Sequence, residues 1–362
     1  VSFLRSTISK LGQAIGVLFG VATLIFILFN VLSGDPARMM MDQREDEEVL
    51  AAIRAKYGLD QSLGVQYLYY LNDLSPISWH SDNADDYTNY GNHNYVGAKL
   101  FGVGDGDLYL KRPYLRESMQ QQGRSVGDVI GETLPNTAVL AVSSILIAIL
   151  LGIFIGVVSA LKKDSFFDRF WTVVGTLGMS LPSFFSAILI AWLFGFVLSE
   201  YTGLSMTGSL YEVDDYGTGR YLALDNLILP ALTLGIRPLG VIIQLTRSSV
   251  LETMGQDYIR TARAKGLSTF QIVRRHVLRN SMNPVVTAVS GWFASMLAGA
   301  VFVEYIFGWN GLGRQIVDAL NQKDLPVVMG AVLTIAALFV VINVLVDLIY
   351  RWLDPRIRSS HS

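Results

Sequence analysis

Few side chains in this 362-residue sequence stand at spacings that do covalent chemistry. Between 75 and 107 the chain places His80 and His93 among Asp82, Asp85 and Asp86, residue types that bind nickel or zinc. Their spacing matches no fixed ligand pattern, and the stretch is rich in Asn, Asp, Tyr and Gly, so a solvated, hydrogen-bonding loop without metal is expected. With no cysteine in the chain, disulfides, thiolate catalysis and cysteine-held zinc are excluded. An ATP-hydrolysing chain needs a phosphate cradle of the form Gly-x-x-x-x-Gly-Lys-Ser/Thr, and no Gly-Lys pair occurs. Gly102, Gly104 and Gly106 lack the strand-to-helix setting of a nucleotide fingerprint and read as a loop. No Ser–His–Asp set or carboxylate pair stands in a recognisable context either. The chain is therefore read as no enzyme, with no metal or cofactor of its own.

The remaining chemistry is electrostatic. The segment 247–283 carries seven basic residues and regularly spaced apolar ones (Ile259, Leu267, Phe270, Ile272, Val273, Val277 and Leu278). Gly266 falls in its middle, where it can end one helix and let the chain turn into the next. Such a segment either docks on a partner or lies as a basic hairpin on anionic membrane lipid. A second cation, Arg237, stands alone in an otherwise uncharged run at 226–246. An unpaired cation at the centre of a membrane span costs at least about 2.5–3.5 kcal/mol, so Arg237 is expected to face protein or water unless it snorkels.

A membrane is the solvent that the composition calls for. Hydrophobic residues make up 51% and charged residues only 16%, more apolar material than a soluble core of this length needs. The net charge of −2 conceals an uneven distribution and argues for no nucleic-acid partner. A spanning helix takes about 20 mostly apolar residues. Residues 11–34, 133–161, 170–199, 280–303 and 325–346 are free of Asp, Glu, Lys and Arg, and with 226–246 they give six predicted spans in an all-α, multi-pass protein. The first is longer than a signal-peptide core and is read as a retained helix. The short connections on one side, with the two tails, hold fifteen Lys and Arg, and those on the other side hold three. Excess positive charge marks the cytoplasm, so both termini are expected there. The segment 35–132, with sixteen acidic residues, is then an external lobe.

At 257–267 the chain reads DYIRTARAKGL, followed by RRHVLRNSMNP at 274–284, and this resembles the cytoplasmic coupling segment of peptide/nickel-type permeases of ABC importers. The wider importer pattern, Glu-Ala-Ala-x-x-x-Gly then nine residues and Ile-x-Leu-Pro, falls on Arg260, Thr261, Ala262 and Gly266, then His276, Val277, Leu278 and Arg279. Only Ala262, Gly266 and Leu278 match, a departure that the peptide/nickel branch itself shows. SGDPA at 33–37, YGLDQSLGVQYLYYL at 57–71, GETLPNTAVL at 131–140, MSLPSFF at 179–185, LPALTLG at 229–235 and VEYIFGWNGLGRQIVDAL at 303–320 resemble the same branch in matching order. Asn310 replaces its usual proline, and 75–105 looks like an insertion.

The resemblance implies an N-terminal tail and first span at 1–34, the external lobe at 35–132, and a five-helix core at 133–362 carrying the coupling segment 247–283. It implies a second homologous permease, two cytoplasmic ATPase subunits that bind the ATP and magnesium, and an external substrate-binding protein, all at a cytoplasmic (inner) membrane. Asp257, Tyr258, Arg260, Thr261, Ala262, Arg263, Ala264, Lys265, Gly266 and Leu267 are the expected ATPase contact. Pro182, Pro230, Arg237, Glu304 and Gly311 are pathway or gate candidates. Peptides are the expected cargo, with nickel or another small solute the alternative within the family. Since the family plan is complete without 75–105, that insertion is expected to lie outside the translocation path and to be dispensable. A secondary transporter or channel is the competing class, but it calls for inverted repeats or paired intramembrane charges, and neither is present.

Overall fold

The computed structural model describes residues 2–32, 36–39, 47–121, 123–214, 216–217 and 219–353. Ser33, Gly34 and Asp35 of the SGDPA motif, and the basic tail from 354, lie outside them. The principal helices are α1 Ser2–Phe26, α2 Glu47–Lys56, α3 Leu63–Leu74, α4 Val126–Leu161, α5 Phe166–Ser180, α6 Ser183–Trp192, α7 Asp225–Met254, α8 Asp257–Ala264, α9 Asn283–Gly299, α10 Val301–Phe307, α11 Leu312–Asn321 and α12 Leu325–Leu353. The strands are β1 Ile77–Ser81, β2 Gly97–Gly102, β3 Gly106–Lys111, β4 Tyr211–Val213 and β5 Arg220–Leu222. Cα packing divides the chain into residues 1–132 with 316–340, and residues 133–315 with 341–362.

In the first unit, Ala22, Ile25 and Phe26 of α1 pack with Tyr70 of α3 and Met329 of α12. The segment 75–107, expected to be a solvated loop, is folded. β1, β3 and β2 form an antiparallel sheet in that spatial order, with Trp79 opposite Leu108 and Ser78 opposite Tyr109. The three glycines form the turn of the β2–β3 hairpin, where Gly104 takes a positive φ of 64°. A Cβ at Gly106 would lie 2.3 Å from the His80 carbonyl, so the strand can pair this closely only with glycine there.

The reason this segment folds is one buried carboxylate. Asp73, at 1% exposure, accepts from Tyr87 Oη (3.0 Å), Tyr95 Oη (2.8 Å) and Arg116 Nε (2.9 Å), and its backbone carbonyl accepts from Lys111 Nζ (2.5 Å). Asp73 precedes the 75–105 stretch and Arg116 follows it, so the apparent insertion is the material that closes this network. His80 is also structural. It is buried between the rings of Tyr95 and Tyr109, with Nε2 at 2.8 Å from Ser78 Oγ and Nδ1 at 2.8 Å from the Thr88 carbonyl. Among the described residues no group of three His, Cys, Asp or Glu is placed to share a metal ion.

The limits of the membrane helices follow from end signals. The α4 helix begins at Val126, ahead of the uncharged run at 133, because Ser125 caps it, accepting from Asp128 N at 3.1 Å. Asp128 and Glu132 then occupy its first two turns, where a helix favours negative charge. Pro182 has no amide hydrogen and disfavours helical backbone in the residue before it; α5 ends at Ser180, and α6 leaves at an angle of 115°. The expected single span at 170–199 is therefore a bent pair. Pro230 and Pro238, by contrast, lie inside α7, which continues through both. Among the described residues four helices are long and apolar enough to cross a membrane, or five if the bent pair counts as one. The predicted span at 280–303 is divided between α9, of 17 residues, and α10.

Helices α4, α5 and α7 approach through glycine. A Cβ on Gly240 of α7 would lie 2.4 Å from the Gly175 carbonyl of α5, and one on Gly156 of α4 would lie 2.9 Å from the Ile243 carbonyl. Small residues at such positions let backbones meet and dispersion hold them where lipid offers no hydrophobic gain.

Candidate functional site

The basic segment takes shape as a short amphipathic helix rooted in the core. Only two residues separate α7 from α8, so the two are mechanically continuous. Along α8, Ile259 and Ala262 fall on one face and are buried with Ala160, Val250, Ile272 and Val277, while Leu251, Met254 and Leu267 pack around them. Asp257, Tyr258, Arg260, Thr261, Arg263, Ala264 and Lys265 point outward and are exposed. Arg260 Nη1 lies 3.3 Å from Asp257 Oδ1, but the two side chains are 76% and 95% exposed, so the pair is a weak tether and the surface stays basic. Tyr258 Oη accepts from Asn280 Nδ2 at 3.2 Å, tying α8 to the returning chain.

Gly266 takes φ +79°, and its N–H donates to the Arg263 carbonyl at 2.9 Å while Leu267 N donates to the Ala262 carbonyl at 3.3 Å. This is a left-handed helix stop, as the spacing predicts. A Cβ built there meets nothing within 4 Å, so conformation is what requires glycine within this chain. Ser268 then opens Thr269–Ile272 with a capping box: its hydroxyl accepts from Gln271 N, and Gln271 Oε1 accepts from Ser268 N. Phe270, in that turn, is left 72% exposed.

One part of this site escapes sequence reasoning. Arg247, near the end of α7, donates from Nε to Asp168 Oδ1 (2.5 Å) and from Nη2 to Asp168 Oδ2 (2.7 Å), a two-pronged pair with the carboxylate 2% exposed. Asp168 Oδ2 also accepts from Asp164 N at 2.9 Å, which fixes the 162–169 connection to α7. Counted as charges, both look like ordinary connection residues, and no spacing rule links positions 79 apart.

The motif at 303–320 forms a capped corner. Glu304 is fully buried, and its Oε2 accepts from Gly313 N (2.7 Å) and Arg314 N (3.1 Å), satisfying the amides at the start of α11. A Cβ on Gly311 would lie 2.4 Å from that carboxylate, which explains the glycine. Trp309 is buried and donates from Nε1 to the Asn136 carbonyl at 3.0 Å, and Asn136 Nδ2 donates to the Asn310 carbonyl at 2.7 Å. Asn310, in the proline position, uses both its amide and its side chain: N donates to Ser209 Oγ (3.1 Å) and Oδ1 accepts from Arg314 Nη1 (2.8 Å). Arg237 is exposed on α7 with its guanidinium carbon 5.6 Å from the centroid of Trp292. Pro230 is buried in α7, and Pro182 sits at the α5–α6 bend.

Comparison with known proteins identifies the family. The profile of the binding-protein-dependent transport system inner membrane component matches residues 148–359, and that of the N-terminal part of such membrane components matches residues 3–81. A putative peptide permease protein of Brucella suis biovar 1 (strain 1330) is 34% identical, the alignment covering 99% of this chain and 100% of the relative. The dipeptide transport system permease protein DppB of Escherichia coli (strain K12) is 33% identical, with 99% of each chain covered. Among solved structures, the inward-facing MetNI methionine ABC transporter superposes with a TM-score of 0.48 at 15% identity, covering 63% of this chain and 97% of that one. On the family match and the full-length relatives, this chain belongs to the inner-membrane components of binding-protein-dependent transport systems.

Proposed function

We propose that the chain is a permease subunit of an ATP-driven ABC importer that carries di- and oligopeptides delivered by an external binding protein. The observation that carries the mechanism is α8: a short helix with its apolar face seated in the core and its basic face exposed, joined to α7 through two residues. ATPase closure moves membrane helices only through a rigid contact, and a helix of this kind, seated in a groove of each ATPase, supplies one. Arg260, Arg263 and Lys265 then meet carboxylates of the ATPase groove, while ATP and magnesium stay on that partner. The full-length match to relatives named as peptide and dipeptide permeases supports the cargo.

In this reading the chain crosses the inner membrane six times, with the bent pair and the α9–α10 segment each serving as a crossing, both termini cytoplasmic and the 35–132 lobe external. A second homologous permease completes the pathway. The Pro182 bend and Arg237, held on the face of Trp292, line it or the interface with that permease, and the Glu304–Gly311 corner closes its outer end. The test is co-purification in mild detergent followed by reconstitution. ATPase subunits should accompany the chain stoichiometrically, and labelled dipeptides should enter liposomes only with ATP and binding protein. Isolation without any ATPase would point to a secondary transporter, and nickel uptake with no peptide uptake would reassign the cargo.

A further inference from the structure

The lobe built around Asp73 holds a cavity of about 260 Å³ that neither the coupling segment nor the outer corner uses. Tyr57, Tyr87, Tyr114, Asp85, Arg116 and Glu117 are in its wall. Arg116 brings little free positive charge, since its Nε is bonded to Asp73 and its guanidinium lies over the rings of Tyr70 and Tyr87, 5.6 Å from each centroid. The carboxylates are less committed. Glu117 accepts at Oε1 from Asn94 Nδ2 (2.9 Å), which leaves Oε2, and Asp85 is exposed at the rim. Burial and then the Glu117 charge push the Tyr57 and Tyr114 phenols above the usual tyrosine range, so both stay protonated and their rings keep the neutral π-face. Lys56 Nζ stands 5.4 Å from the Tyr57 ring centroid, so an ammonium of the chain itself already rests on one of these rings.

Carboxylate oxygen plus aromatic faces is the combination that recognises an ammonium. With Arg116 neutralised by Asp73, the carboxylates of Asp85 and Glu117 outnumber the ammonium of Lys56 in the wall and disfavour a free anion. His93 lines the cavity too, but among the described residues no three His, Cys, Asp or Glu are placed to share a metal ion. We infer that this cavity binds a small ammonium ligand, gripped by Glu117 and the tyrosine rings. Its ammonium can come from the free amino terminus of a short peptide or from a choline headgroup. The site is independent of ATPase coupling, so either reading can fail without the other.

The experiment uses the full chain in phosphatidylglycerol nanodiscs, which bring no ammonium, titrated by calorimetry with Ala-Ala, N-acetyl-Ala-Ala and choline. Binding of Ala-Ala that is lost on acetylation supports the site and names a peptide source, whereas choline binding supports it and names a headgroup. Glu117→Gln keeps the acceptor for Asn94 and should weaken either ligand about tenfold: the peptide ammonium exchanges a charge-assisted hydrogen bond for a neutral one, and choline, which has no N–H to donate, loses its counter-charge. Tyr57→Leu, at the rim, should weaken it about threefold through the lost ring, and it reads the same site if Glu117→Gln disturbs the lobe. Equal binding of the acetylated peptide, no binding of Ala-Ala or choline at about 10 mM, or wild-type affinity in both variants overturns the inference.

Discussion

Gly266 gives the sharpest handle on the coupling reading. Its φ of +79° lies where a Cβ crowds the following carbonyl, at a cost of roughly 1–2 kcal/mol to any residue but glycine, with asparagine the best tolerated of the others. No atom of this chain lies within 4 Å of a Cβ there, so the cost within the subunit is conformational alone. A variant faced with it can straighten the turn, which takes Leu267 away from Ile259 and Ala262 and tilts α8. At 1–2 kcal/mol the native α8 orientation becomes about 5–30 times less populated relative to alternatives. Val is worse than Ala, because β-branching stiffens the side chain where the backbone is already strained. The spans are untouched, so Gly266→Val should insert and accumulate normally, while ATPase association or substrate-stimulated hydrolysis falls about tenfold and transport falls with it. Gly266→Asn separates two causes. Recovery toward wild type in Asn means that the left-handed turn matters; equal failure of Asn and Val means that the ATPase groove needs the missing side chain. Transport, stimulated ATPase activity and a pull-down of the ATPase subunits together read the outcome. Wild-type values for Gly266→Val in all three would refute the reasoning and return the segment to a basic hairpin on lipid.

Other consequences are as specific. Gly311→Ala drives a methyl group into the Glu304 carboxylate and loosens the cap on α11, so thermal stability should fall by about 1–3 kcal/mol, measurable in detergent by intrinsic fluorescence. Deleting 75–105 removes Tyr87, Tyr95 and the partners of β3, leaving Asp73 and Arg116 a stripped buried pair; whether or not transport survives, the variant should show lost exchange protection at 106–116. Asp73→Ala alone should cost about 3–5 kcal/mol of lobe stability, because it leaves the guanidinium buried and unpaired. The pH dependence of hydrogen exchange in the lobe has a defined shape. Burial lowers His80 and His93 below 6.5, so the unfolded lobe binds more protons below that pH and protection is lost as pH falls through this window. Burial also lowers Lys111 from 10.5 to about 8, so protection, corrected for intrinsic exchange, should rise from about pH 8 toward 10. Above 10 it should fall, since burial, with the Asp73 charge added and outweighing the opposing pull of Arg116 on Tyr87, keeps Tyr87 and Tyr95 protonated in the folded lobe alone.

Much of the membrane plan was legible because its signals are local. An uncharged run of sufficient length and a glycine at 266 each act on their own few residues, and the structure puts a helix and a left-handed stop at those places. Boundaries set by caps were less visible: the absence of charge placed the start of α4 at 133, whereas Ser125 and the tolerance of a helix N-terminus for Asp128 place it at Val126. The lobe was misread for a different reason. Asn, Asp and Tyr in quantity look solvated, yet here they bond one another around Asp73, and only the alternation in Ser78–Trp79–His80 and Leu108–Tyr109–Leu110 hints at strands. Register between β1 and β3, like the Arg247–Asp168 pair, joins residues far apart in sequence, where composition and spacing have no purchase.

That long-range pair decides how a push on α8 is distributed. Without it, a push on α8 would reach the last turns of α7 and the apolar cluster under Ile259 and Ala262, but not the start of α5. The two-pronged bond from Arg247 to Asp168 fixes the start of α5 to the last turns of α7, and a salt bridge with a buried carboxylate resists separation by more than an exposed pair. Farther along, the Gly175–Gly240 approach leaves no side chain between the same two helices, so they cannot slide without a backbone clash. Ala160, at the end of α4, shares the core under Ile259, which brings α4 into the same block. A displacement of α8 is thus carried by α4, α5 and α7 together as far as the Pro182 bend, where the helical hydrogen-bond ladder is interrupted and rotation costs least. The proline at the bend and the arginine fork near the other end of α5 are therefore complementary: one makes the block rigid and the other sets where it can give.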